Sequence, residues 1–277
     1  MAKGIGLIGN FKGKVGNTVG YKISASNTGN TQGIRVYQPI VRNPKTSAQA
    51  EQRAKLAPNN ATYRALKMVI DRGNEGLPYG NKSRLAWLKQ AFKAKNMPWF
   101  VKGATIDFPV GGPLTKGSLP SLGAAYGSNV ISFNCSGVTP ETDVTTIGKL
   151  STAILAGCPT LREGDQLTFV AIVAGYTTLV PQIVSIVLDK TSAEANKVLT
   201  TVAGSIHFEP IDAVSAFAVI VSREGANGEH LRSTEMLKVP DDVVAAAPYD
   251  ANSKAAAIES YQNAAGANSD WAEESIQ

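Results

Sequence analysis

Leu167–Ala174, LTFVAIVA, and Leu179–Leu188, LVPQIVSIVL, are the stretch on which the fold of this chain turns. Each run is short and rich in valine and isoleucine, which suits a pleated, half-buried surface. Similar runs surround them: ATIDF, NVISFNC, TTIGKLSTAIL, KVLTTV, SIHFE, AFAVIVSR and LRSTEML. Turn chemistry separates them, including Gly117-Ser-Leu-Pro120, Arg162-Glu-Gly-Asp165 and Gly225-Ala-Asn-Gly228. Short strands at this spacing, with no strong helix read among them, predict an antiparallel, immunoglobulin-like β-sandwich over residues 103–240. No Trp lies between Trp99 and Trp271, so the Cys…Trp…Cys arrangement of antibody domains is absent. The likeness is one of architecture.

Upstream, residues 1–102 read as a basic hairpin-plus-helical module, making the chain as a whole α+β. Val19, Tyr21 and Ile23 alternate with Gly20, Lys22 and Ser24, and after the loop 27–33 Ile34, Val36 and Ile40 alternate with Arg35, Gln38 and Arg42. That period-two pattern predicts a hairpin with Lys22 and Arg35 on its solvent face. Pro39 puts the second strand at an edge or ends its pairing. Thr46-x-x-Gln49 has the spacing of a capping box, and Ala50, Ala54, Ala57 and Ala61 make a small-residue stripe along the helix it opens. Pro58 predicts a kink or break before a second helix over 59–72. A third helix over 83–95 is expected to turn Leu85, Leu88 and Phe92 inward with Trp87 and Ala91 flanking, and Lys89, Lys93 and Lys95 on its polar faces. Residues 241–277 form an acidic, alanine-rich tail with one short helix over 253–264, expected to stay mobile or to dock only in an assembly, Tyr261 and Trp271 being its candidate anchors.

Charge divides the chain sharply. Residues 1–102 hold 18 Lys/Arg against 3 Asp/Glu, and residues 103–277 hold 9 against 19. Such asymmetry points to a basic module that meets an anionic partner, or to two halves that neutralise each other. No apolar run is long enough for a membrane helix. The glycines and lysines of the first 14 residues break up any apolar segment of a secretory signal. Cys135 and Cys158 could form a single disulfide, but two free thiols is the favoured reading.

The motifs do not favour catalysis. Gly4-x-Gly6-x-x-Gly9 has the letters of a dinucleotide fingerprint without room for the preceding strand, and with no acidic residue before Glu51. Gly13-Lys-Val-Gly16 resembles a GXXG clamp but reads better as a glycine-rich turn with solvated lysine. His207 and His230 lack Cys, Asp or Glu at ligand or triad spacing, and neither GxSxG nor HExxH occurs. No cofactor, metal or small-molecule substrate is expected, and an enzyme is not. The remaining constellation is Lys12, Lys14, Lys22, Arg35, Arg42, Lys45, Arg53 and Lys55, with Phe11, Tyr21 and Tyr37 interleaved. Nucleic-acid phosphates, an acidic protein surface and plain solvation all remain open for it.

Gly13, Lys14, Gly16, Val19 and Gly20, followed by Arg35, Pro44, Thr46, Gln49 and Arg53, give GKxGxxVG…PxTxxQxxxR. This pattern resembles an uncharacterised family of Bacteroidota and their phages, and Lys116-Gly-Ser-Leu-Pro120 is similar to that family's link into a C-terminal β-domain. The resemblance implies a phage virion structural protein, assembled in the host cytoplasm. Its expected partners are other virion proteins or further copies of itself, and DNA, without membrane insertion. A surface-exposed adhesive or decoration protein and a non-virion nucleic-acid-binding protein are the alternatives.

Overall fold

The structure, a computed structural model, describes residues 13–23, 31–37, 46–135, 145–174, 178–197, 199–202 and 204–263. The chain packs as two compact units, 1–44 and 45–277. The first is a three-stranded antiparallel ribbon of β1 (Gly13–Val15), β2 (Thr18–Ile23) and β3 (Thr31–Val36), in that order. Gly16 and Asn17 turn β1 into β2, and Gly16 sits at φ +57°, where a side chain would be strained. Gly13–Gly16 is therefore a strand and a tight turn, with Lys14 in the ladder instead of in a clamp loop. The expected β2–β3 hairpin forms, but its register differs from the alternation read from sequence. Val19 lies opposite Arg35, so Arg35 shares the face of Val19 instead of opposing it. Counting alternation separately on each strand left the cross-strand register free, and a one-residue difference moves every side chain to the other face.

The second unit begins with α1 (Ser47–Ala65), α2 (Lys67–Ile70) and α3 (Asn81–Ala91). Then come β4 (Gly112–Pro113), β5 (Ala125–Gly127), β6 (Val130–Asn134), α4 (Ile147–Gly157), β7 (Gln166–Ala174) and β8 (Leu179–Val187). The order closes with β9 (Leu199–Val202), β10 (Ser205–Phe208), β11 (Val214–Glu224), β12 (His230–Arg232), β13 (Met236–Leu237), α5 (Asp241–Ala246) and α6 (Ala251–Asn263). The unit is α+β with antiparallel sheets. One sheet runs β5-β6-β10-β9, a second β12-β11-β7-β8, and β13 pairs with β4 in a short ribbon. No helix among the described residues is long and apolar enough to cross a membrane.

Burial explains why LTFVAIVA and AFAVIVS lack alternation. Leu167, Phe169 and Ala171 of β7, with Phe217, Val219 and Val221 of β11, join Ile131, Phe133, Ile206 and Phe208 of the other sheet in one apolar cluster. Val170, Ile172, Ala216, Ala218 and Ile220 point the other way, onto Leu66, Val69, Ile70 and Trp87 of the helices. The β7/β11 pair is thus the middle of three layers, apolar on both faces. Each large side chain so buried contributes about 1.5–3 kcal/mol relative to exposure. The helices of 47–91 consequently share a core with the strands, and the boundary at 102 read from charge does not coincide with a packing boundary.

Local chemistry corrects several expectations. TTIGKLSTAIL is not a strand: Thr146 Oγ1 accepts from Lys149 N at 3.4 Å, and Leu150 and Ile154 reach the core at helical spacing in α4. Pro58 does not break α1, which runs through it, and Asn59 Nδ2 donates to the Lys55 carbonyl at 2.8 Å beside the donor that proline lacks. The cap at Thr46 forms, accepting from Gln49 N at 3.3 Å, while Gln49 Oε1 is left without a partner, so it does not complete the box. In α3 the inward face is Ser83, Trp87 and Ala91, and Leu85 is 54% exposed. Ser83 sets that rotation by donating to the Ile70 carbonyl at 2.7 Å while Asn74 Nδ2 donates to it.

Residues 241–263 are not a loose tail. Ala257 of α6 is fully buried in one cluster with Ala54, Met97, Trp99 and Val110, and Tyr261 packs against it. The small-residue stripe of α1 is what lets the two helices approach. Lys102 N donates to Ser260 Oγ at 2.9 Å and closes the joint. Trp271 lies outside the described residues. Cys135 and Cys158, expected as free thiols, form a disulfide with their Cα atoms 5.1 Å apart, within normal disulfide reach. The pairing joins the end of β6 to the C-terminus of α4, two elements of one core that sequence spacing does not bring together.

Candidate polyanion-binding ribbon

The register of the ribbon sets Lys14, Val19 and Arg35 side by side across three strands. Lys14 and Arg35 are exposed, flanking a half-buried valine. Lys14 Nζ stands 3.6 Å from the centroid of the Tyr37 ring, and Tyr37 is held there by its N–H donating to the Asn17 carbonyl at 2.8 Å. A cation over a tyrosine face at an exposed site is worth about 0.5–1 kcal/mol, enough to fix the ammonium while leaving it open to an anion. Lys22 occupies the strand position opposite Gln32. Residues 1–44 contain six Lys/Arg and no Asp/Glu, against 21 and 22 in the rest of the chain.

The other candidates divide. Lys12, Arg42 and Lys45 lie outside the described residues. Arg53 and Lys55 are on α1, in the second unit, and are half-buried. Lys55 Nζ lies 2.9 Å from Glu51 Oε1, and Lys254 of α6 reaches the same oxygen at 3.1 Å. Hydrogen bonds from Lys55 and then Lys254 hold the Glu51 carboxyl below its ordinary range. Lys55 is thus engaged within α1, and Lys254 ties α6 to α1 through the same Glu51.

The second unit handles its other charges similarly. Asp165, fully buried, receives Arg223 Nε and Nη2 at 2.6 and 2.7 Å, and Arg162 N at 2.8 Å. Arg223 also donates to the Thr160 carbonyl, and the fork raises its pKa above the ordinary arginine value through Asp165. Glu75 accepts from Ser118 N, Ser118 Oγ and Arg232 N, clipping the loop after α2 to the Lys116–Pro120 link and to β12. Glu235 is buried, with Oε2 accepting from Ser121 Oγ at 2.9 Å and Oε1 unpartnered; burial pushes its carboxyl upward. These tertiary sites carry no local motif, so nothing in the chain's own spacing announces them.

An open groove of about 960 Å³ runs between the end of α3 and the β4/β13 ribbon, with Lys93, Lys95, Met236 and Lys238 in its walls. Lys93 and Lys95, expected on the polar faces of a helix over 83–95, instead follow α3, which ends at Ala91, and their meeting with Met236 and Lys238 depends on the β4–β13 pairing. Among the described residues no group of three or more His, Cys, Asp or Glu gathers as a metal set. His207 and His230 are strand residues of β10 and β12. No family model, no curated protein and no solved structure matches the chain.

Proposed function

We propose that the protein is a non-catalytic structural component of a phage virion, in which the basic ribbon attaches to the phosphates of packaged DNA and the β-sandwich contacts other subunits. The observation that carries this reading is the ribbon itself: a separately packed unit with six cations, no carboxylate, and Lys14 and Arg35 exposed in one row. Tyr37 beside Lys14 adds the aromatic surface that suits nucleic acid. The virion assignment rests on the resemblance carried by Gly13, Lys14, Gly16, Val19, Gly20 and Pro44-x-Thr46-x-x-Gln49-x-x-x-Arg53. The sandwich is read as immunoglobulin-like on strand order. A sheet β5-β6-β10-β9 facing β12-β11-β7-β8 corresponds to the A-B-E-D and G-F-C-C′ sheets of that fold, with α4 inserted between B and C.

Filter retention of duplex DNA by the full chain, from about 50 to 200 mM salt, tests the proposal. Retention that falls steeply with salt is expected. No retention, or equal retention at both ends of the range, would remove DNA as the partner.

A further inference from the structure

Strand β8 is the longest sheet edge among the described residues, nine residues, LVPQIVSIV, paired there on one side only, with β7. Of the other edges, β3 has six residues, β1, β5, β9 and β12 have three or four each, and β4 and β13 have two. No ionisable residue occurs in β8, and Val180, Ile183 and Val187 are 45%, 36% and 52% exposed. Soluble proteins usually guard such an edge with charge, a bulge or a covering element, because its free N–H and C=O groups template a further strand.

The direction of those groups follows from the ladder. Leu188 N donates to the Asp165 carbonyl, and the Leu188 carbonyl accepts from Gly164 N, both at 2.8 Å, so Leu188 faces the β7 side. Backbone groups alternate along a strand, which turns Pro181, Ile183, Ser185 and Val187 away from β7. Pro181 agrees, since an edge tolerates proline where the missing N–H points outward. The open run is therefore Ile183, Ser185 and Val187, and its two ends are closed. Pro181 has no donor, and Asp189 N, the next outward group, is taken by Ser151 Oγ at 3.1 Å.

We propose that β8 is a dimerisation edge, pairing antiparallel with β8 of a second copy about a two-fold axis at Ser185. In that register Ile183 meets Val187, Ser185 meets itself, and each exchanges both backbone hydrogen bonds with its mate. Pro181 would face Asp189, so the two positions that cannot pair fall opposite each other. The open run is thus symmetric about its own centre, which an isologous contact requires and an unrelated strand does not. A strand meeting itself usually brings like charges together, and here there is none to repel. Cross-strand Ile–Val contacts then cover Ile183 and Val187, two of the apolar side chains left exposed in the single chain. The inference stands whether or not the ribbon binds DNA.

The test is sedimentation of the full chain across concentration, together with Ile183→Lys/Val187→Lys. The wild type is expected to reach a dimer, and the double variant to stay monomeric over the same range with unchanged circular dichroism. In parallel, Ser185→Cys is treated with a short bismaleimide, the native cysteines being paired. It should give covalent dimers in high yield, while Met68→Cys, a control on α2, should not. A wild type that stays monomeric at every concentration overturns the proposal. So does a dimer that survives the lysines, or a Ser185→Cys variant that dimerises without cross-linking.

Discussion

The exposed cations of the ribbon and the partnered cations of the unit that follows it use positive charge in opposite ways. In the ribbon, Lys14 and Arg35 are exposed with no carboxylate in the whole of 1–44. In the second unit Lys55 and Lys254 share Glu51, Arg223 grips Asp165, and Lys238 Nζ donates to the Ala124 carbonyl at 2.6 Å. A count of lysines and arginines treats the two alike. Only the first set is free for an outside partner, and the second is fold-holding chemistry. Substitutions in the two sets should accordingly separate stability from binding.

The largest loss of stability is expected at Arg223→Met. It leaves Asp165 fully buried without its bidentate partner, and breaking such a pair from one side costs about 3–5 kcal/mol. Urea unfolding at neutral pH measures it. Recovery of wild-type stability at neutral pH would show that Asp165 has another partner. Next comes the disulfide. Cys135→Ser/Cys158→Ser opens a link with a sequence separation of 23, for an expected cost of about 3 kcal/mol. Non-reducing and reducing melts of the wild type should differ, and those of the variant should coincide.

A smaller effect, signed by pH, belongs to Glu235. Burial raises its folded pKa above the ordinary 4.5, so the folded state holds the proton more tightly than the unfolded chain. Its contribution is therefore complete below the unfolded value and is lost as pH rises through the folded one. Glu235→Gln cannot ionise. Relative to wild type it should gain stability as pH is raised from about 4 to 8, read from unfolding midpoints. A difference that does not change with pH would mean that Glu235 does not titrate in that window.

What sequence could and could not tell follows the range of the interactions. The caps at Thr46 and the turn 225–228 were legible because donor and acceptor lie within a few residues. The β-rich middle was legible because valine and isoleucine cluster there. TTIGKLSTAIL misled because β-branched content outweighed the spacing of Ile147, Leu150 and Ile154, which is helical. The docking of α6 on α1, the Cys135–Cys158 link, the face of α3 and the placing of Arg35 beside Val19 were hidden for one shared reason. Each depends on which distant segment arrives alongside, and composition does not encode that.

The smallest expected effect on stability is the most informative about function. Lys14→Glu/Arg35→Glu changes two exposed positions, where substitutions usually shift stability by no more than about 0.5 kcal/mol. Losing the cation over Tyr37 falls in the same range. If the ribbon holds DNA through this row, each lost phosphate contact should lower the slope of log affinity against log salt by about 1. Two contacts should therefore flatten the curve visibly while the melting curve stays in place. The matching change in the second unit, Lys55→Glu, should do the reverse: it sets two carboxylates four residues apart on α1, lowers stability and leaves the salt slope alone. A salt slope that responds equally to both variants would erase the distinction between free and engaged cations.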